Sequence, residues 1–351
     1  MEERHKTGID GLKISRATLP VFIGLLVIAY LFWKQFDWNE FKEIDWNSRT
    51  FLWLLAATLF GFFRHLGYSW RLHHLSFKKF SWKKSIELIF IWEFSSAVSP
   101  TSLGGSAVAF FILSKEKLSI AHTATIVLYT IVLDSFFLLG TLPILFLIFG
   151  SSIMRPDELG NWGFYFGFAY FMMTLYSAIF FYGLFVNPNQ LKKFLFWIGN
   201  FRILNIWKNN ALQLGSDIIL ASRELSNKSF AFHFISGIST TIAWMSRFML
   251  LSCIMIAFLP DFSLHPLDLF ELYARLQTMF FVIAFSPTPG GAGLIELLFN
   301  GFLTDYIDSN TSTTIISTIW RILSYYLYLI VGAIIIPNWL QKVWKKKPKR
   351  V

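Results

Sequence analysis

Eight apolar stretches divide the chain, at 19–33, 51–70, 86–113, 123–150, 162–186, 230–259, 269–303 and 311–340. About 20 apolar residues in helical form cross the ~30 Å hydrocarbon core of a bilayer. A chain of 351 residues with so many such runs is read as an all-α polytopic membrane protein. Composition agrees: 55% of residues are hydrophobic and only 15% charged, where soluble domains carry about a quarter. The 40 Phe and 14 Trp suit lipid-facing surfaces and interfacial belts.

The formal net charge of +10 raises nucleic acid as a partner, but the Lys and Arg gather in loops and at both ends. That is the distribution membrane orientation requires, so no nucleic-acid partner is expected. The lone Cys253, within an apolar run, excludes a disulfide framework or a zinc cluster. Arg4, Lys6, Lys13 and Arg16 precede the first stretch in the manner of a secretory signal. Lys34, Gln35, Phe36 and Asp37 follow it instead of a small-residue cleavage site, so a retained first span is expected.

Loop charges set the orientation. The segment 34–49 carries Asp37, Glu40, Glu43 and Asp45, whereas the next loop holds Arg71, Lys78, Lys79, Lys83 and Lys84 without an acid and should be cytoplasmic. The stretch 86–113 is followed by Lys115-Glu116-Lys117, again weakly basic. Both of its flanks then lie on one side. The run Ser99-Pro100-Thr101-Ser102-Leu103-Gly104-Gly105 breaks it into halves too short to span. The stretch 269–303 repeats this with opposite sign. It is flanked by Asp261 and Asp268 on one side and by Asp305 and Asp308 on the other, and is broken at Ser286-Pro287-Thr288-Pro289-Gly290-Gly291-Ala292-Gly293.

The expected architecture is six full spans and two re-entrant broken hairpins entering from opposite faces, with both termini cytoplasmic. Residues 1–186 hold the first membrane repeat, with hairpin 86–113, and the start of the second. Residues 187–229 form a basic amphipathic segment along the cytoplasmic interface. Residues 230–340 complete the second repeat, with hairpin 269–303, and 341–351 are a basic cytoplasmic tail.

The repeat extends beyond the breaks. Arg64 lies 35 residues before Ser99 and Arg247 lies 39 before Ser286; Asp134 follows Gly105 by 29 and Arg321 follows Gly291 by 30. Paired Gly/Pro-interrupted apolar segments in opposed repeats point to a transporter's central site. Irregular backbone at membrane depth survives where it is buried in protein or lines a wet cavity. A half-helix should begin past each break, near Ser106 and near Leu294. Its free N–H groups and positive dipole end would suit an anion such as a phosphodiester. Gly290, Gly291 and Gly293 would let that ligand approach the backbone.

Arg64, Glu93, Asp134, Arg247, Arg275, Glu296 and Arg321 fall inside apolar stretches. Each costs roughly 2.5–3.5 kcal/mol at a helix centre unless it is paired or lines a polar path. Asp134 and Arg321, at repeat-related positions, are read as a buried ion pair, and Arg64 as snorkelling to the interface with Arg71. Arg247, Arg275 and Glu296 remain as lipid-binding or transport candidates, with Ser99, Pro100, Gly104, Gly105, Ser286, Pro287, Pro289, Gly290, Gly291 and Gly293. No Gly-x-x-x-x-Gly-Lys-Ser/Thr loop and no His-Glu-x-x-His motif occur. No catalytic residue, metal or cofactor is therefore expected.

The run Pro287-Thr288-Pro289-Gly290-Gly291-Ala292-Gly293-Leu294-Ile295-Glu296 resembles the P-x-P-G-G-x-G-x-x-E signature of the lysylphosphatidylglycerol synthase transmembrane-region family, which includes the flippase part of the multiple peptide resistance factor. The resemblance covers nearly the whole chain. It implies a lipid-handling protein of the bacterial cytoplasmic membrane that moves an anionic or aminoacylated phospholipid, or another polar lipid, between leaflets. Two departures stand out. The chain ends soon after its last span, so the cytosolic aminoacyl-transferase domain is not expected. After the first break it has Gly104-Gly105-Ser106-Ala107-Val108 where many members have a Gly-Glu-x-x-Arg-like stretch. A membrane-embedded subunit of a lipid-modifying transferase, with a separate partner enzyme, and a membrane scaffold are the alternatives. A homo-oligomer is also open.

Overall fold

The computed structural model describes residues 39, 42, 46–98, 102–116, 118–154, 162–200, 208–284, 294–303, 305–307 and 309–345. Every regular element among them is helical. In chain order these are α1 (Ser48–Leu75), α2 (Trp82–Val98), α3 (Ser102–Ser114), α4 (Ile120–Phe149, followed by a 3-10 turn), α5 (Trp162–Phe181, ending in a π turn at Tyr182–Val186), α6 (Pro188–Gly199) and α7 (Lys208–Ser226). They continue with α8 (Phe230–Phe258), α9 (Pro266–Ala284), α10 (Leu294–Leu303), α11 (Asn310–Arg321), a π turn at Ile322–Tyr326, and α12 (Leu327–Lys345).

Small polar side chains start the long helices, as the need of orphan N–H groups for acceptors predicts. Asn47 accepts from the Thr50 amide at 3.1 Å, Ser119 from His122 at 3.2 Å, Ser229 from Phe232 at 3.4 Å, and Ser309 from Thr311 and Ser312. Five helical segments are long and apolar enough to cross a bilayer: Ser48–Leu75, Ile120–Ile153, Phe164–Val186, Phe230–Phe258 and Thr311–Val343. They coincide with five of the six expected full spans; the sixth, 19–33, lies outside the described residues. The protein is thus an all-α integral membrane protein.

The centre of the bundle is the antiparallel crossing of α1 and α8. Arg49 at the start of α1 donates to the Pro260 carbonyl at 2.9 Å, and His74 at its end meets the Phe232 carbonyl at 3.1 Å. Gly67 brings the two backbones together: a β-carbon there would stand 2.9 Å from the Ala243 amide nitrogen. Small residues at such crossings are what lipid demands, because helices in it associate by close packing. The opposite face of α1 exposes Phe51, Leu52, Leu55, Leu59, Phe62 and Phe63, an apolar stripe suited to acyl chains.

The two interrupted stretches are helix pairs, α2 with α3 and α9 with α10, and each pair begins and ends at one end of the bundle. Lys84 at the start of α2 reaches Glu116 beyond α3 at 2.7 Å, and the Trp339 indole of α12 donates to the same carboxylate at 2.5 Å. At the other end, Arg275 of α9 joins Asp305 beyond α10 at 2.5 Å. The first half-helix starts earlier than expected, at Ser102 instead of near Ser106. Gly104 and Gly105 are therefore inside its first turns, and α2 runs to Val98.

The segment 187–229 folds as the helix pair α6 and α7, docked on α4 and on the π turn that ends α5. Glu224 of α7 is the anchor, binding the His122 imidazole and accepting from Thr125 Oγ1 at 2.8 Å. Pro143 inside α4 deprives the Leu139 carbonyl of its helical donor. The Tyr170 hydroxyl donates to it instead, at 3.2 Å.

Candidate functional site

Charge concentrates where α1, α2, α4, α8 and the π turn meet, midway along the spans. On α1, Arg64, Tyr68 and Arg71 share one face at the i, i+4, i+7 spacing; on α8, Thr240, Trp244 and Arg247 do the same. The two faces meet through Arg71, whose Nη1 donates to Thr240 Oγ1 at 3.1 Å.

Arg64 does not snorkel. It is 2% exposed, forms an ion pair with Glu93 of α2, donates to the Ser324 carbonyl at 3.2 Å, and has its guanidinium carbon 4.8 Å from the centre of the Tyr328 ring. Ser324 belongs to the π turn, a rare distortion that recurs at functional sites. The same turn presents Tyr325, whose hydroxyl donates to the Ala97 carbonyl at 3.3 Å, next to the last residue of α2. Helix ends leave carbonyls without intrahelical donors. The π turn thus serves both the buried arginine and the helix end that leads into the first break.

Asp134 is held by Arg71, not by Arg321 as its repeat position had implied. Arg71 binds both carboxylate oxygens, the second at 3.3 Å, and the Trp244 indole donates to Asp134 Oδ1 at 2.7 Å. The reason is helix length. The apolar stretch ends at Trp70, but α1 continues to Leu75 and carries Arg71 into the bundle. Arg321 is buried elsewhere, its guanidinium carbon 4.9 Å from the Tyr325 ring centre.

Arg247 differs from these. Its guanidinium carbon stands 4.7 Å from the Phe280 ring centre and 5.3 Å from that of Trp244. Among the described residues no carboxylate pairs with it, and it is only half-buried. Phe280 is one turn before the end of α9 at Ala284, so Arg247 lies beside the approach to the second break. The aromatic faces stabilise the cation without neutralising it.

Arg275, the other candidate cation, is committed to two carboxylates, Glu271 at 2.7 Å and Asp305 at 2.5 Å. It lies under a cavity of about 450 Å³ at one end of the bundle, lined in part by Asp261, Asp268, Glu271 and Asp305. Burial pushes the Tyr306 hydroxyl in this wall up to about 12, so it stays neutral. Glu296 lies in the first turn of α10. Ser99, Pro100, Ser286, Pro287, Pro289, Gly290, Gly291 and Gly293 lie outside the described residues.

The sequence reading missed Arg71, Tyr68, Trp244 and Tyr328 as parts of this centre. The i, i+4, i+7 spacing on α1 and α8 was the signal available for the first three.

Comparison with known proteins agrees on the family. Residues 19–332 match the family described as the lysylphosphatidylglycerol synthase TM region. A protein of Archaeoglobus fulgidus described as a UPF0104 membrane protein is 22% identical over 341 residues, covering 90% of this chain and 94% of its own length. No solved structure matches the chain.

Proposed function

The chain belongs to the lysylphosphatidylglycerol synthase transmembrane-region family, and from that premise we propose that it binds a polar lipid and moves it between leaflets. The headgroup docks beside the end of α9, and its phosphodiester meets Arg247. The half-helices that begin at Ser102 and Leu294 add the N–H groups and positive dipole ends that favour an anion. Helix pairs α2–α3 and α9–α10 act as re-entrant hairpins from opposite faces. The protein sits in a cytoplasmic membrane with its basic ends inside.

The observation that carries this reading is the state of Arg247. Arg64, Arg71 and Arg275 each have a carboxylate, while Arg247 is held between two aromatic rings with its charge unspent. A half-desolvated guanidinium with no counter-ion among the described residues is prepared for an anion, and its planar donor fork matches phosphate. An anionic phospholipid suits that cation together with the exposed apolar stripe of α1, and the family likeness adds an aminoacylated one.

Native mass spectrometry of the detergent-purified protein tests it, comparing lipids retained by wild type, Arg247→Gln, and the double variant Glu296→Gln, Gly291→Ala. Selective retention of one anionic or aminoacylated lipid, lost in the variants, is the expected result. Identical unselective profiles in all three would overturn the site.

A further inference from the structure

Helix α6 follows the apolar segment Phe164–Val186 after a single residue, Asn187. The Asn187 Oδ1 accepts from the Gln190 amide at 3.0 Å, which starts the new helix where that segment ends. α6 therefore begins where the chain leaves the bilayer. Its inner side is fixed by close contacts. Leu191, 4% exposed, sits on Gly183 of the π turn, where a β-carbon would strike its side chain. Lys192 crosses Gly215 of α7, its Cα 3.1 Å from where a β-carbon of that glycine would stand. Behind α6, α7 packs on α4, held there by Glu224.

The outer side of α6 is aromatic. Phe194, Phe196 and Trp197 are exposed, Trp197 by 59%, and the Phe194 and Trp197 rings stack with centres 6.1 Å apart. At the end of the preceding segment, against which α6 packs, Phe181, Phe185 and Val186 are exposed as well. Positive charge accompanies this face. From 187 to 216 the chain carries Lys192, Lys193, Arg202 and Lys208 and no acidic residue. Neither lysine of α6 has a carboxylate partner among the described residues. On α7, Glu224 is bound to His122 and Thr125, and Asp217 is buried. Just beyond α7, the Lys228 ammonium lies 3.5 Å from the centre of the Phe77 ring, so α7 ends beside Lys78 and Lys79.

We infer that α6 is a docking surface for anionic lipid in the leaflet at the basic end of the bundle. A helix of 12 residues, about 18 Å long, lies in the plane of that surface. Its three rings enter the boundary between headgroups and acyl chains, where aromatic side chains are favoured. Lys193, with Lys192, reaches the phosphates from a stem laid along apolar surface. Lipid suits this face better than a protein partner, because the rings begin at the end of an apolar span. The surface is separate from Arg247 and does not depend on lipid movement.

A bimane fluorophore on Phe194→Cys, in the full chain with Cys253→Ser, reads the contact locally in nanodiscs. Phosphatidylcholine or phosphatidylglycerol with a nitroxide high on the acyl chain quenches it on contact. Both lipids should quench it more than the same fluorophore on Asn227→Cys, an exposed turn residue between α7 and α8. At low salt phosphatidylglycerol should be preferred, by up to about fivefold per lysine, and Lys192→Gln with Lys193→Gln should abolish the preference. Quenching no stronger than at Asn227→Cys would give the face to a protein or a second copy of the chain, and overturn the inference. Equal quenching by the two lipids, or a preference that survives loss of both lysines, overturns the anionic docking. Arg247→Gln should leave the preference unchanged. Its loss there would assign it to the headgroup site and remove it from α6.

Discussion

The Lys84 ammonium and the Glu116 carboxylate are 2.7 Å apart although the whole α2–α3 helix pair lies between them. At the opposite end of the bundle, Asp268 near the start of α9 and Asp305 beyond α10 line one cavity, and Arg275 of α9 binds Asp305. Such contacts are what a re-entrant hairpin predicts, so each bears on topology. In a variant whose Cys253 is replaced by Ser, single cysteines at 84 and 116 should be labelled by an impermeant maleimide from one side of sealed vesicles. Cysteines at 268 and 305 should be labelled from the other side. Labelling of 84 and 116 from opposite sides would show that α2–α3 spans.

Buried ion pairs add little net stability, but breaking one leaves an uncompensated charge, at about 3–5 kcal/mol. Arg64 is more deeply buried than Glu93. Glu93→Ala should therefore lower the thermal unfolding temperature in detergent markedly, and Arg64→Met in the Glu93→Ala background should restore part of the loss. A double variant as unstable as Glu93→Ala alone would contradict the pairing.

The reassignment of Asp134 can be tested by double-mutant cycles on stability. Asp134→Asn and Arg71→Gln should show a coupling of about 0.5–3 kcal/mol, since they share one network with Trp244 and Thr240. Asp134→Asn and Arg321→Gln should be additive within about 0.5 kcal/mol. The reverse ordering would restore the pair implied by the repeat.

Gly67→Ala places a β-carbon 2.9 Å from the Ala243 amide nitrogen, a backbone atom that no rotamer change can move aside. The expected loss is about 1–3 kcal/mol, typical of overpacking. Gly140→Ala is the control, because a β-carbon there meets nothing within 4 Å. Equal effects of the two substitutions would refute the close α1–α8 approach.

The spans were legible because apolar length is a direct consequence of lipid as solvent. The helices α2 and α9 end at Val98 and Ala284, just before the two Pro/Gly-rich runs. The wiring of the buried charges was not legible, because it depends on where a helix ends. Arg71 read as a loop cation after the last apolar residue of its stretch, yet the helix carries it one turn further inward. His65 read as nothing at all; the fold buries it against Phe90 and Tyr328 of two other helices. Arg275 looked equivalent to Arg247 until Asp305 was brought to it from 30 residues away.

The central claim is that Arg247 receives the headgroup, and movement of a headgroup-labelled phosphatidylglycerol in proteoliposomes tests it most directly. Dithionite quenching of the outer-leaflet label reads the movement. Wild type and Arg275→Gln should expose nearly all of the label to quenching, and Arg247→Gln, reconstituted to the same level with an unchanged melting profile, only the outer half. Wild-type movement in Arg247→Gln would contradict the account.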